Sequence, residues 1–181
     1  MALSPTRREY RITLNHVDRG VERSETVIVA QHPSETAEHL TVRVLAWCLL
    51  PLEGLAFGPG LSTPDAADLW AHDLTGRLTA WIECGGTQGE KIRKVVQHNT
   101  GAAVHVVFGD ERRRDELVAE LAGWRRAGEI TLWTIAASLV EPLAALEGAR
   151  QKWAVTVVGD HVYLDVEGTA FDGPVVRSQA G

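Results

Sequence analysis

Glu83 closes a run, Leu78-Thr79-Ala80-Trp81-Ile82-Glu83-Cys84, that alternates like a strand, and Gly85 and Gly86 follow at once. A carboxylate at the end of a strand that runs into a core is either solvated or faces a cation. Lys91 and Lys94, one helical turn apart just downstream, are the cations within reach if the following helix packs against the sheet. Neighbouring carboxylates with an ammonium group beside them suit metal-assisted hydrolysis of a phosphodiester. The acids supply hard oxygen ligands for a divalent cation, and the lysine stabilises the charge that builds on the phosphorus centre.

A second acid must then sit on a neighbouring strand. Asp73-Leu74-Thr75-Gly76 has the composition of a tight turn, with Asp first and Gly last. Strands folded back about a centre near Thr75 and Gly76 place Asp68 opposite Glu83, at a Cβ separation of roughly 4.5–5.5 Å on one face. Asp73 itself is then the turn residue. A slip of one residue would move the partner to the other face. A third acid can come from the first helix, where Glu35 and Glu38 are three apart and share a face.

The elements that must hold these groups are legible as punctuation and periodicity. Strands are expected at 10–18 and 26–31, with Asp18-Arg19-Gly20 as a turn. A helix runs from about Glu35 to Leu50, capped by Ser34, with Leu40, Val44, Trp47 and Cys48 at helical spacing, and Pro51 closes it. A loop rich in Gly54, Gly58, Pro59, Gly60 and Pro64 leads to short strands at 68–71 and 77–84. Thr87-Gln88-Gly89-Glu90 reads as a capping box that opens a helix. A strand (102–108), a helix (110–124), a strand (130–136) and a helix (138–149) follow, and a terminal hairpin (152–158, 161–166) turns at Gly159-Asp160. The order β-β-α-β-β-α-β-α-β-α-β-β predicts a mixed α/β (α+β) fold with a central mixed sheet flanked by helices.

With 181 residues, 45% hydrophobic and 23% charged, the chain fits one domain, 1–181, with a sizeable core. A net charge of −6 argues against coating nucleic acid by bulk attraction, though it permits a local basic groove. Two cysteines, Cys48 and Cys84, form no CxxC pattern, so a reducing, cytoplasmic setting is expected. The N-terminus lacks an apolar signal core, and no run has the ~18 apolar residues of a membrane span.

The segments HPSETAEHLTVRVLAW (32–47), DLW (68–70), DLTG (73–76), WIECG (81–85) and KIRK (91–94) together resemble the YaeQ family of small bacterial proteins. The resemblance extends from the initial MAL to the terminal hairpin. It implies a variant of the PD-(D/E)XK nuclease, or restriction endonuclease-like, fold with an αβββαβ core. It also implies a site with an acid on the first helix (Glu38 or Glu35), Asp68 and Glu83. Two departures stand out. The lysine expected two residues after the Glu is Gly85, so a displaced lysine is needed, Lys94 first and Lys91 second. Relatives usually carry Pro-Asp-Glu where this chain has Thr87-Gln88-Gly89. Pro64-Asp65 is a coincidence of letters, since Asp68 aligns with the family's Asp-Leu-Trp.

Plainer readings compete at each position. Glu83 can be an exposed strand end, Glu35 a helix-dipole partner, and Lys91 and Lys94 a solvated face. Arg112-Arg113-Arg114 lies among Asp110, Glu111, Asp115 and Glu116 and reads as a salt-bridged surface. The tryptophans read mostly as core, with Trp81 on Glu83's face. Glu35 and His39 at i,i+4 are thin evidence for zinc. The expectation is therefore a Mg²⁺-dependent nuclease-like protein in which Asp68 and Glu83 hold the metal, Glu38 assists and Lys94 or Lys91 meets the phosphate. The alternative is a fold that has lost its chemistry and binds a nucleic-acid or protein partner.

Overall fold

The structure, a computed structural model, describes residues 4–59, 63 and 65–181, so Gly60 and Pro64 of the loop and the initial MAL lie outside the described residues. The fold is mixed α+β. Its strands are β1 (Thr6–His16), β2 (Val21–Gln31), β3 (Leu55–Phe57), β4 (Leu69–His72), β5 (Leu78–Cys84), β6 (Ala103–Phe108), β7 (Ile130–Ile135), β8 (Arg150–Val158), β9 (His161–Val166) and β10 (Thr169–Gln179). The helices are α1 (Ala37–Leu49), α2 (Gly89–His98), α3 (Glu111–Leu121) and α4 (Ala137–Ala144). The described residues form a ten-stranded sheet in the order β2-β1-β8-β9-β10-β7-β6-β5-β4-β3. Pairs β1/β8, β5/β6 and β6/β7 are parallel, and the others are antiparallel.

Two strands go beyond the expected order. β10 carries Gly173-Pro174, which reads as a breaker, yet Pro174 sits where the strand changes partners. Up to Pro174 it pairs with β9, and from Val175 it pairs with β7. A residue with no N–H is tolerated at such a switch because one ladder ends there. β3 is only three residues long and pairs with β4.

Every residue of α1 from Leu40 to Leu49 is buried, Arg43 included. The helix lies in a core formed by β1, β4, β5, β8, β9 and α4, whereas α2 and α3 cover the other face of β5–β6–β7 with Ile92, Val96, Leu117 and Leu121. Two expected caps differ. Thr36, not Ser34, caps α1: its side chain accepts from the His39 N–H at 3.1 Å, while Ser34 Oγ contacts His32 Nδ1. The Thr87–Glu90 capping box does not form, because Glu120 of α3 accepts the Gly89 N–H at 2.6 Å and Glu90 pairs with Lys94. Asp73 is the turn residue: its Oδ1 accepts from the Thr75 and Arg77 N–H groups.

Candidate functional site

β4 and β5 are antiparallel with Leu69 opposite Ile82, and the Asp68 N–H donates to the Ile82 carbonyl at 3.1 Å. One residue further out, Asp68 therefore stands beside Glu83, past a register shift between Ala71 and His72. Asp68 is held from behind as well: its carbonyl accepts from Gly58 N–H at 2.8 Å. A Cβ on Gly58 would sit 1.9 Å from the Ala67 carbonyl oxygen, so only glycine lets β3 approach this closely.

Both acids are buried, Glu83 to 4% exposure and Asp68 to 8%. Each is matched by cations and donors. Lys91 Nζ lies 2.9 Å from Glu83 Oε2, and Trp81 Nε1 donates to Glu83 Oε1 at 2.7 Å. Asp68 Oδ2 accepts from the Cys84 N–H at 2.7 Å, and its Oδ1 lies 3.7 Å from both His39 Nε2 and Arg43 Nε. Behind them, Glu35 contacts His39 Nδ1 at 2.7 Å and Arg43 at 3.1 Å. His39 Nε2 also lies 3.1 Å from the Cys84 carbonyl oxygen. Both ring nitrogens thus face acceptors, and only the doubly protonated imidazolium can donate to both.

The charge states follow from these contacts. Burial pushes Glu83 up, Lys91 pulls it back, the Asp68 charge adds to the rise, and the net is above the ordinary value. Burial alone would raise Asp68 too, but His39, the Cys84 N–H and Arg43 overcome it and hold the carboxyl low. Glu35 is likewise lowered against burial by His39 and Arg43. For His39, burial is outweighed by Asp68 and Glu35, and its pKa rises to about 9. Glu35, Asp68 and Glu83 therefore balance His39, Arg43 and Lys91.

A cavity of about 290 Å³ opens among His39, Asp68, Glu83, Thr87, Gln88 and Lys91, outside the carboxyl end of β5. In open sheets with parallel strands, this is where ligands tend to bind. Gly85, at φ +71°, makes the turn out of β5; a Cβ there would lie 2.9 Å from His39 Cδ2. Lys91 rather than Lys94 reaches the acids: Lys94 is exposed and pairs with Glu90 at 2.8 Å along α2. Glu38 is exposed and lines a separate cavity with Gly85 and Arg113. Glu35 is closer to the pair but is sealed between His39 and Arg43.

Sequence reasoning overlooked Arg43 and gave His39 no role here. The signal was present: Glu35, just before α1, and His39 and Arg43 within it recur every four residues, and Arg43 is followed by an uninterrupted apolar run to Leu49.

Asp68 and Glu83 line one cavity, and Mg²⁺ commonly takes one or two protein carboxylates and fills its shell with water and substrate phosphate. Among the described residues no group of three or more His, Cys, Asp or Glu side chains is arranged to hold a metal ion, so the fit is to this shared mode and not to an all-protein cage.

The ten-stranded sheet and the charged cavity at its parallel strand ends define a mixed α+β protein with a buried, charge-balanced acid pair. The family model described as YaeQ protein matches residues 1–173, and the chain belongs to the YaeQ family. It is 31% identical over 104 residues to the YaeQ protein of Salmonella typhi and 32% over 94 residues to that of Escherichia coli K12. These stretches span 58% and 52% of this chain and the same shares of the relatives, so little more than half of their length is matched. The crystal structure of YaeQ from Xanthomonas axonopodis pv. citri superposes with a TM-score of 0.87 at 27% identity, covering 98% of this chain and all of that one. The Pseudomonas syringae YaeQ structure superposes at 0.84 with 24% identity, covering 98% of each chain, and speaks to the fold.

Proposed function

We propose that this chain is a Mg²⁺-dependent phosphodiesterase acting on nucleic acid, with the restriction endonuclease-like core that the family resemblance implies. The observation that carries this reading is the convergence of Asp68, Glu83 and Lys91 on one cavity at the end of β5. Asp68, its carboxyl held low, stays ionised and is pinned by the Cys84 N–H as a fixed ligand. Glu83 is buried and needs a positive partner; Lys91 provides it here. Asp68 and Glu83 would hold a Mg²⁺, which would supply Lewis-acid polarisation of the phosphate and an acidified water. Lys91, which pairs with Glu83 at 2.9 Å, would be the cation available to the phosphate oxygens. His39 and Arg43 keep Asp68 oriented without entering the cavity's chemistry. The two free, buried cysteines suit a cytoplasmic setting for this reading.

The test is cleavage of single- and double-stranded DNA and of RNA with Mg²⁺ or Mn²⁺. Glu83→Ala and Lys91→Ala are each expected to lower the rate by about a hundredfold or more. Cleavage that is unchanged in Glu83→Ala sinks the assignment. One feature favours a second reading, a partner-binding protein without chemistry: every acid of the cluster already has its cation. Saturable nucleic-acid or protein binding that ignores chelators and Glu83→Ala, with no cleavage, selects that reading.

A further inference from the structure

A cavity of about 490 Å³ lies at the other end of α1 from the acid pair. His39 and Leu49 are ten residues apart on that helix, about 15 Å along its axis. Its floor is apolar, made by Leu49, Val157, Val162 and Val175. It sits where β10 leaves β9 for β7, so it straddles the seam between the two halves of the sheet. Such a volume is that of a small-molecule site.

Three polar features point into the same conclusion. Arg19 and Arg177 both line the cavity, and among the described residues neither has a carboxylate within ion-pair distance. The Arg177 guanidinium lies 5.3 Å from the centroid of the half-buried Trp133 ring, which also lines the cavity. His16 is 6% exposed, and its Nδ1 is buried with no hydrogen-bond partner. His16 Nε2 faces the Leu49 carbonyl oxygen at 3.3 Å, which makes Nε2 the protonated nitrogen and leaves Nδ1 a bare acceptor. A buried acceptor without a donor is costly, and it belongs to a residue that lines this cavity.

The acids on this cavity do not cancel the arginines at the tryptophan end. Asp18 accepts the Gly159 N–H at 2.8 Å and ties the β1–β2 turn to the β8–β9 turn. Asp160 is exposed in that second turn. The third histidine nearby, His161, is paired with Asp172. By contrast, His105, which accepts from the Trp133 indole, feels burial first and then Arg177 and Arg19, with no acid opposing them.

We propose that this cavity binds a small organic anion with a planar aromatic body. The anionic group sits between Arg19 and Arg177, and the ring lies against Trp133 and the Leu49–Val162 floor. Guanidinium groups bind carboxylate, sulfonate and phosphate alike, so the shared chemistry is a delocalised oxyanion on an aromatic frame.

The probes are anilinonaphthalene sulfonate, followed by fluorescence, and adenosine monophosphate, followed by amide and indole NMR shifts, both with a chelator present so that no metal contributes. The expected result is saturable binding of at least one probe that moves the Trp133 indole signal. Arg19→Gln/Arg177→Gln should weaken that binding by about tenfold or more. Both arginines are exposed, so the variant should keep its circular dichroism and unfolding midpoint. Glu83→Ala should bind like the parent, which separates this site from the acid pair. Equal affinity in the double arginine variant, or no saturable binding of either probe up to millimolar concentration, overturns the proposal.

Discussion

The two ends of α1 solve opposite electrostatic problems. At its N-terminal end, Glu35, Asp68 and Glu83 are buried and matched by His39, Arg43 and Lys91 within 3.7 Å. At its C-terminal end, Arg19 and Arg177 stay near water with no carboxylate partner among the described residues, and His16 Nδ1 is a buried polar atom left without a hydrogen bond. Charges taken out of water are tolerated only with partners, so the first end ties its chemistry to the stability of the fold. Charges left near water contribute little to stability, and the second end can be altered with little effect on folding. The comparison teaches where function and folding can be separated by mutation and where they cannot.

The sharpest break is Arg43→Met. Arg43 is fully buried, and its removal leaves Glu35 and Asp68 short of a cation. The expected cost is about 3–5 kcal/mol in denaturant unfolding, against no comparable loss for Arg177→Gln. Equal losses at the two positions would erase the contrast.

Next comes pH. The folded-state pKa of His39, about 9, lies above its ordinary value of 6.5, so the folded protein holds that proton more tightly than the unfolded chain does. The stabilisation is complete below pH 6.5 and is lost as pH rises through about 9. It is on the order of 3 kcal/mol, shared with Glu35 and Asp68 and not additive with the Arg43 effect. Unfolding midpoints on either side of this window should fall with rising pH in the parent and much less in His39→Gln.

A smaller effect is expected at Gly85, whose φ of +71° and 2.9 Å approach to His39 both resist a side chain. Gly85→Ala should cost about 1–2 kcal/mol from the left-handed backbone alone, and more if His39 cannot move. The smallest effect sharpens the comparison within α2. Lys94→Ala should leave cleavage and the unfolding midpoint where they were, since Lys94 meets only Glu90 at the surface. A Lys94→Ala variant as impaired as Lys91→Ala would show that the working lysine is not the one in the cavity.

Much of this was legible in the sequence, for identifiable reasons. Counting outward from the Asp73–Gly76 turn places Asp68 near Glu83, but the turn alone does not fix the pairing: His72 faces Leu78, and a register shift between Ala71 and His72 brings Leu69 opposite Ile82 and Asp68 opposite Glu83. The alternation of β5 separates Ile82 in the core from Glu83 on the α2 side. Which lysine arrives was not legible, because Lys91 and Lys94 differ only by where α2 begins. That start is set by Glu120 of α3 and not by the local Thr87–Glu90 pattern. Arg43 was only partly legible: its spacing from Glu35 and His39 marks one face, but its other partners are distant in sequence, Asp68 before β4 and the Ala30 carbonyl on β2. β10 was hidden by Gly173-Pro174, whose role appears only when β7 and β9 are both in place. Tertiary partners decided each of these cases.

The central claim, that Asp68 and Glu83 form a cation site completed by phosphate, is tested most directly by calorimetric titration of Mn²⁺. The titration is run into the parent and Glu83→Ala, each alone and with thymidine monophosphate supplying the phosphate. The account predicts one saturable Mn²⁺ site in the parent, tighter with the nucleotide and lost in Glu83→Ala. The same isotherm in both proteins, or no Mn²⁺ binding in the parent even with the nucleotide present, would contradict it.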